Sequence, residues 1–479
     1  MPDMTGGTCF ANRVAVSLAS GRLPGRAFVA IVLVALTTAC GGVDSALTRA
    51  ALTEALEARP RTASVRRVWS DVRRFYETGE HRLQWTSGRR VSRAQAVLDE
   101  AASHGLDPAD YDAAGIARAW TDIEESDAEE AARAKALAAF DVRVTTALLS
   151  LANDVTYGRV RPETINPRWV SHRAKRDLAA MLTKADGRFD GWLDGLAPTH
   201  EGYRRLRATL ADVRRDAEPD ETLLARVGAN LDRWRWLPDD LGARHVWVNI
   251  PSFTLEVRDA GRTALAMPVV VGKAAGQQTP VFSAPMKTVA FSPYWNIPAS
   301  IANAETLPAI AGDPDYLDDQ RIEVVRRSDT SAGPIDPDDI NWDDEDVTRD
   351  LLFRQRPGAG NALGKVKFLL PNRHAVYLHD TPSTSLFARD ARAFSHGCVR
   401  VAEPAELARY VLADQPEWTP ARIDAAMRSS RERQVALSSP LPVHLVYFTT
   451  VSTPEGRLDV LGDVYGLDAR HRRLESRIR

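Results

Sequence analysis

The sequence predicts an α+β multidomain protein, an α-helical scaffold domain followed by a β-rich domain that carries an insertion. Three observations predict it. Apolar residues recur at three- and four-residue spacing from about 66 to 236 and alternate singly from about 237 onward, and the stretch 301–362 breaks that alternation with aspartates and prolines. At 479 residues and 44% apolar content the chain has room for more than one core.

The helical half reads stripe by stripe. Val91, Ala94, Val97, Leu98 and Ala101 share one face, and Gly105 stops that helix ahead of Asp107-Pro108. Leu137, Phe140, Val144, Leu148 and Leu151 form a longer stripe, Tyr203, Leu206, Leu210 and Val213 another, and Leu223, Val227, Leu231 and Trp234 the last. The period changes at Trp236-Leu237-Pro238. Val246, Val248 and Ile250 then alternate, as do Phe253, Leu255 and Val257 before the turn Asp259-Ala260-Gly261. Val269-Val270-Val271, Met286 to Phe291, Lys365 to Leu370, Ala375 to His379 and Val443 to Thr449 continue the strand signals, and Glu406 to Leu412 reads as a helix. The insertion 301–362, with little apolar period, reads as a lid, a binding loop or a solvated excursion.

The N-terminus reads as an export signal over residues 1–39. Arg13, Arg22 and Arg26 precede an apolar run, Ala27 to Leu36, that is too short to span a bilayer as a mature helix. Thr37, Thr38 and Ala39 then lead into Cys40, Gly41 and Gly42, which resembles a bacterial lipobox with Cys40 as the lipidated first residue. Thr37 stands where such a motif usually has an aliphatic residue, and plain cleavage after Ala39 is the alternative. Either route exports the chain, and lipidation would hold it at a membrane facing the periplasm. Residues 40–65 then read as a tether and 467–479 as a charged tail, of which Arg470 to Arg479 reads as frayed.

Composition narrows the function. A formal net charge of -2, with no basic patch among aromatics, leaves no footprint for nucleic acid. Three cysteines exclude a disulfide-rich scaffold. With Cys9 ahead of the apolar run and Cys40 at its end, Cys398 is the one usable thiol of the mature chain. It sits in Ser395-His396-Gly397-Cys398-Val399-Arg400, and a lone cysteine beside histidines is a candidate nucleophile. Such a thiol needs a base to take its proton. His396 and His379 compete for that role. His379 is favoured, because it ends a marked strand and a strand end is a firm platform. Gly397 lets a carbonyl approach the backbone, the amides of 396 to 398 are candidate oxyanion donors, and Arg400 suits a carboxylate. Together these parts describe acyl transfer through a thioester.

His379-Asp380-Thr381-Pro382 followed by Phe394-Ser395-His396-Gly397-Cys398-Val399-Arg400 resembles the active-site signature of bacterial L,D-transpeptidases with the YkuD-type catalytic domain. Further blocks resemble the large, scaffold-bearing subgroup: Asn230 to Pro238, Val248-Asn249-Ile250-Pro251, Val271-Gly272-Lys273, Pro293 to Pro298, and Leu363 to Phe368. The resemblance covers most of 66–466. It implies a scaffold domain over 66–236 and a catalytic domain over 237–466, with 301–362 as a capping insertion. It implies attack by Cys398 on the stem tetrapeptide of peptidoglycan, release of its terminal D-alanine, and transfer to a diamino-acid side chain of a second stem as a 3-3 cross-link. His379 would be the base, oriented by the carbonyl of Asp380, and His396 and Gly397 would lend amides to the oxyanion. Arg400, His396, Ser395, Asp380, Tyr377 and Trp295 would line the substrate site. No metal or organic cofactor is implied. A small peptidoglycan-binding module is usual in the subgroup, but the path from Leu206 to Asn230 is too short for one.

Other readings stand beside this one. Cys398 by itself would pass as a buried core residue. Zinc held by His379, Asp380, His396 and Cys398 lacks the short paired spacing of finger sites. With water as acceptor the same site becomes an L,D-carboxypeptidase, and a non-catalytic envelope lipoprotein would leave Cys398 dispensable.

Overall fold

In the computed structural model, which describes residues 45–478 apart from 61, 217, 219, 331 and 343–346, the long apolar stripe becomes the central helix Glu130–Tyr157. Cys40 and the export segment lie outside the described residues. Four helices, Ser45–Glu57, Ala63–Thr78, Gly88–Glu100 and Ala113–Glu124, pack on the central one. By length and composition that helix would cross a membrane, but most of its apolar surface is covered by the scaffold, as befits a core helix. Its one deeply buried acid near the middle, Asp141, accepts the Tyr76 hydroxyl at 2.6 Å and the amides of Gln84 and Trp85 at 2.7 and 2.6 Å. Burial is tolerable there because each acceptor is used.

The structure corrects both ends of the reading. The expected tether contains the helix Ser45–Glu57, whose Ala51, Leu52 and Leu56 are buried in the scaffold core. The expected charged tail contains the helix Leu467–Glu475, whose Leu467, Asp468 and His471 are buried. Asp468 pairs with Arg233 at 2.5 Å, and His471 meets Asp232 at 3.0 Å. Charges that read as solvated are matched by charges about 235 positions upstream.

The β-rich half is built from β1 (Arg244–Asn249), β2 (Thr254–Asp259), β3 (Arg262–Gly272), β4 (Phe282–Phe291), β5 (Trp295–Asn296), β6 (Ile322–Arg326), β7 (Leu351–Gln355), β8 (Val366–Leu369), β9 (Leu378–His379), β10 (Ala393–Ser395), β11 (Val399–Val401) and β12 (Arg433–Val446). Pairings run in a closed circuit, β3–β11–β9–β8–β4–β12–β1–β2 and back to β3, with β10 added beside β3. Closure removes open edges. It also surrounds a core of Val248, Leu255, Val269, Met286, Val289, Phe368, Leu378 and Val399, each 2% exposed or less. The alternation read from sequence supplies these inward positions. The strand expected from Ala375 shrinks to Leu378–His379, because the Asn372 side chain ties down residues 374 to 376 and Ala375 takes φ +53°.

Within the insertion, β5, β7 and β6 make a separate three-stranded sheet. It has its own core of Ile297, Ala302, Leu317, Ile322, Val324, Leu351 and Phe353. The folded cap therefore begins at Trp295, earlier than expected, and is no solvated excursion. Its apolar residues are too widely spaced along the chain to show a period.

Scaffold and sheet share cores. Trp234, Trp247, Val446 and Phe448 join the scaffold cluster, and Trp169 and Trp236 join the sheet cluster. Between them the helix Glu221–Arg235 sends Asn230 to the Thr449 amide and hydroxyl, both at 2.9 Å, and Arg233 to Thr449 and Asp468. These hydrogen bonds tie the helix to both Thr449 and Asp468, although Arg233 Nε is buried without a hydrogen-bond partner.

Candidate active site

Register brings the chemistry together. β11 pairs in parallel with β9, setting Arg400 beside His379, and β8 pairs antiparallel with β9, setting Lys367 on its other side. Cross-strand partners face the same way, so Lys367, His379 and Arg400 form one row on the face opposite Phe368, Leu378 and Val399. Two residues back lie Tyr377 and Cys398, linked by the Val399 amide donating to the Tyr377 carbonyl at 3.1 Å. By sheet geometry His379 and Cys398 are diagonal neighbours, about 7 Å apart at Cβ and within side-chain reach. The Tyr377 and His379 rings meet edge to face at 5.6 Å, and the Lys367 ammonium lies 5.9 Å from the Tyr377 ring centre.

His379 is buried, and its Nδ1–H donates to the Asp380 carbonyl at 2.5 Å. That bond leaves Nε2 with a lone pair and fixes the tautomer. Burial first, then the Arg400 and Lys367 charges, push its pKa down to about 3 against the pull of the Asp380 carbonyl. The Cys398 thiol is partly exposed, with Sγ 3.9 Å from the Ala375 carbonyl. Burial raises its pKa, while hydrogen bonds from Tyr377 and the charges of Arg400 and Lys367 pull it back. At rest the pair is therefore a thiol beside a neutral imidazole. Burial also lowers the pKa values of Lys367 and Arg400. The Arg400 Nε is buried without a partner.

The turn that carries the thiol is braced from below. Ser395 Oγ donates to the Cys398 carbonyl at 2.5 Å and accepts the Gly397 amide at 3.1 Å. Gly397 takes φ +118°, a conformation that disfavours any side chain. Its amide is already engaged, so of the three amides expected to face an oxyanion, this one does not. Ser395 is 2% exposed, and both of its hydrogen bonds brace the turn. Asp380 likewise turns its carboxylate to the amides of Lys365 and Thr381, at 2.8 and 2.7 Å, and only its carbonyl serves His379. His396 reaches the cap, with Nε2 2.7 Å from Glu305. Trp295 lies in the cap sheet, paired with Gln355. The four donors of a zinc site thus do not converge, since the Asp380 carboxylate faces amides and His396 faces Glu305.

Sequence reasoning missed Lys367, Glu305 and Thr279. Lys367 carried a usable signal, a charge alternating with Val366 and Phe368 in a buried strand. Glu305 and Thr279 carried none, because each acts through a contact with residues about a hundred positions away.

Residues 243–423 match the model of the L,D-transpeptidase catalytic domain, YkuD, and residues 70–210 match that of the scaffold domain. A provisionally assigned L,D-transpeptidase of Haemophilus influenzae is 33% identical over 250 residues, covering 52% of this chain and 49% of that protein. The chain thus spans about half the length of this curated relative. Among solved structures, an L,D-transpeptidase from Mycobacterium smegmatis aligns with 14% identity over 42% of this chain and 58% of its own, at a TM-score of 0.20. L,D-transpeptidase 1 of Mycobacterium tuberculosis aligns with 17% identity over 43% and 61%, at 0.17. Overlaps that small carry no argument.

Proposed function

We propose that this chain, whose residues 243–423 match the L,D-transpeptidase catalytic domain and whose residues 70–210 match the scaffold domain, is an L,D-transpeptidase that forms 3-3 cross-links between peptidoglycan stem peptides through a Cys398 thioester. The observation that carries this reading is the β9–β11 register, which sets a partly exposed thiol diagonally across from a neutral imidazole whose Nδ1 is fixed and whose Nε2 is left to accept a proton. In the first half-reaction the sulfur attacks the carbonyl of the diamino acid in the donor stem as the thiol proton passes to His379 Nε2. The S–C bond forms, the C–N bond breaks, and His379 returns the proton to the departing D-alanine amine. In the second, the side-chain amine of another stem attacks the thioester and gives a proton to His379. That proton goes back to the leaving sulfur.

Arg400, with its unpartnered buried Nε in the same row, supplies a positive site for a stem carboxylate. Export and lipid attachment at Cys40 belong to the same proposal, resting on the N-terminal pattern of arginines, apolar run and small residues. With no room for a binding module between Leu206 and Asn230, attachment of this kind would keep the enzyme near its substrate. The test is to incubate the protein with disaccharide-tetrapeptide and separate the products. Cross-linked dimer supports the proposal. Tripeptide without dimer would make the chain a carboxypeptidase, and no product from an intact protein would favour the scaffolding role.

A further inference from the structure

A buried hydroxyl relay runs beneath the thiol turn. Tyr447 donates to Asp463 Oδ1 at 2.7 Å and accepts the Tyr465 amide at 2.7 Å. The Tyr465 hydroxyl donates to the Gly272 carbonyl at 2.8 Å and accepts the Thr279 amide at 3.2 Å. Thr279 Oγ1 accepts the Gly272 amide at 2.9 Å and donates to the Gly397 carbonyl at 2.8 Å. Thr279 is 1% exposed. With one donor and one acceptor on each side, its hydroxyl proton has a single direction. The relay is packed without slack at Gly272, where an added Cβ would lie 2.0 Å from the Gln277 carbonyl oxygen.

The relay has a stereochemical consequence. Among the described residues every peptide bond is trans, and in a planar trans peptide the C=O and N–H point in opposite directions. Anchoring the Gly397 carbonyl on Thr279, inside the fold, therefore turns the Cys398 N–H of the same peptide unit outward. The neighbouring Gly397 amide is spent on Ser395. We infer that Thr279 is a positioning residue that holds the Cys398 amide as the oxyanion donor of the acyl-transfer step, with Tyr465 holding Thr279. When the sulfur attacks, the S–C bond forms and the carbonyl π pair moves onto oxygen, which takes the hydrogen bond from that amide. This inference rests on the acyl-transfer reading of the site.

The test separates acylation from ordinary thiol reactivity. Alkylation by iodoacetamide displaces iodide at a saturated carbon and creates no oxyanion, so it needs the thiol but not the amide. In the full chain, acylation of Cys398 by disaccharide-tetrapeptide and alkylation by iodoacetamide are each followed by the mass of the Cys398 peptide. Removing a whole oxyanion donor costs about 10²–10³ in rate, and loosening one should cost about 10–100-fold. Thr279→Val, which keeps the shape and deletes the hydroxyl, should slow acylation by that factor with KM unchanged and alkylation within about twofold. Thr279→Ser should restore most of the rate, and Tyr465→Phe should give a smaller loss in the same direction. Unchanged acylation in Thr279→Val, an equal fall in both reactions, or no rescue by serine would overturn the inference. Failure of the underlying reading looks different, because the wild type itself would then form no acyl adduct.

Discussion

The resting state of the dyad can be tested by titrating the thiol. His379 titrates near 3 and Cys398 above its ordinary 9, a gap of at least about 6 units, or about 8 kcal/mol against the thiolate–imidazolium pair. Were the two charges to meet as a contact pair at about 4 Å, their attraction would return about 4 kcal/mol. The ion pair then lies about 4 kcal/mol above the neutral pair, a population of about one in a thousand. In the fragment 44–479, Cys398 is the only cysteine, so the pH dependence of iodoacetamide alkylation reads this site alone. The expected profile is a single rise centred above pH 9, with no shoulder from pH 5 to 7, and His379→Gln should leave the inflection in place. A plateau already reached at pH 6 to 7, abolished by His379→Gln, would refute the reasoning and establish a preformed ion pair.

Three further outcomes follow from other parts of the molecule. Arg233→Met should cost about 3 kcal/mol, the low end for breaking a buried pair, because Asp468 keeps Arg226 at 3.3 Å and the Thr449 hydroxyl at 3.0 Å; a denaturant midpoint shift worth less than about 1 kcal/mol would contradict it. Glu305→Gln breaks the contact between cap and thiol loop, but Glu305 is 53% exposed, so at most about 1 kcal/mol, or about fivefold in KM, is at stake. A rise above tenfold would mean that Glu305 has another role. Acid should weaken the fold: His379, His444 and His104 titrate near 3, 4 and 2 when folded, so below pH 6.5 the unfolded chain takes up protons first and stability falls. Asp141 and Asp154, raised to about 6 by burial, work the other way below pH 6. From pH 7 to 5 the histidines cost about 6 kcal/mol and the aspartates return about 3, a net loss of about 3 kcal/mol. A denaturant midpoint at pH 5 equal to or above that at pH 7 would contradict this sum.

The change from helical to alternating period marks where the helices give way to strands, because burial on one face imposes those periods directly. What depends on distant pairing was not legible. The closure of β2 onto β3, the two-residue β9, and the burial of Asp468 and His471 all rest on partners that no local pattern announces. The helix Ser45–Glu57 was hidden for a different reason, since its short Ala51-Leu52-Leu56 face means little until the central helix lies beneath it. At the site, Cys398 and His379 stood out because their side-chain chemistry is scarce and adjacent. The hydrogen bonds of Ser395 and Asp380 to backbone groups of neighbouring turns were not legible, because those partners leave no local pattern. Thr279 was invisible, since a threonine in a turn signals nothing until its hydroxyl is seen on Gly397.

The most direct test of the account is intact mass spectrometry of the fragment 44–479 with disaccharide-tetrapeptide, beside Cys398→Ala. Acyl transfer through Cys398 requires a transient acyl adduct and cross-linked dimer with the wild type, and neither with the variant. Dimer formed by Cys398→Ala, or no adduct and no product from a folded wild type, would contradict it.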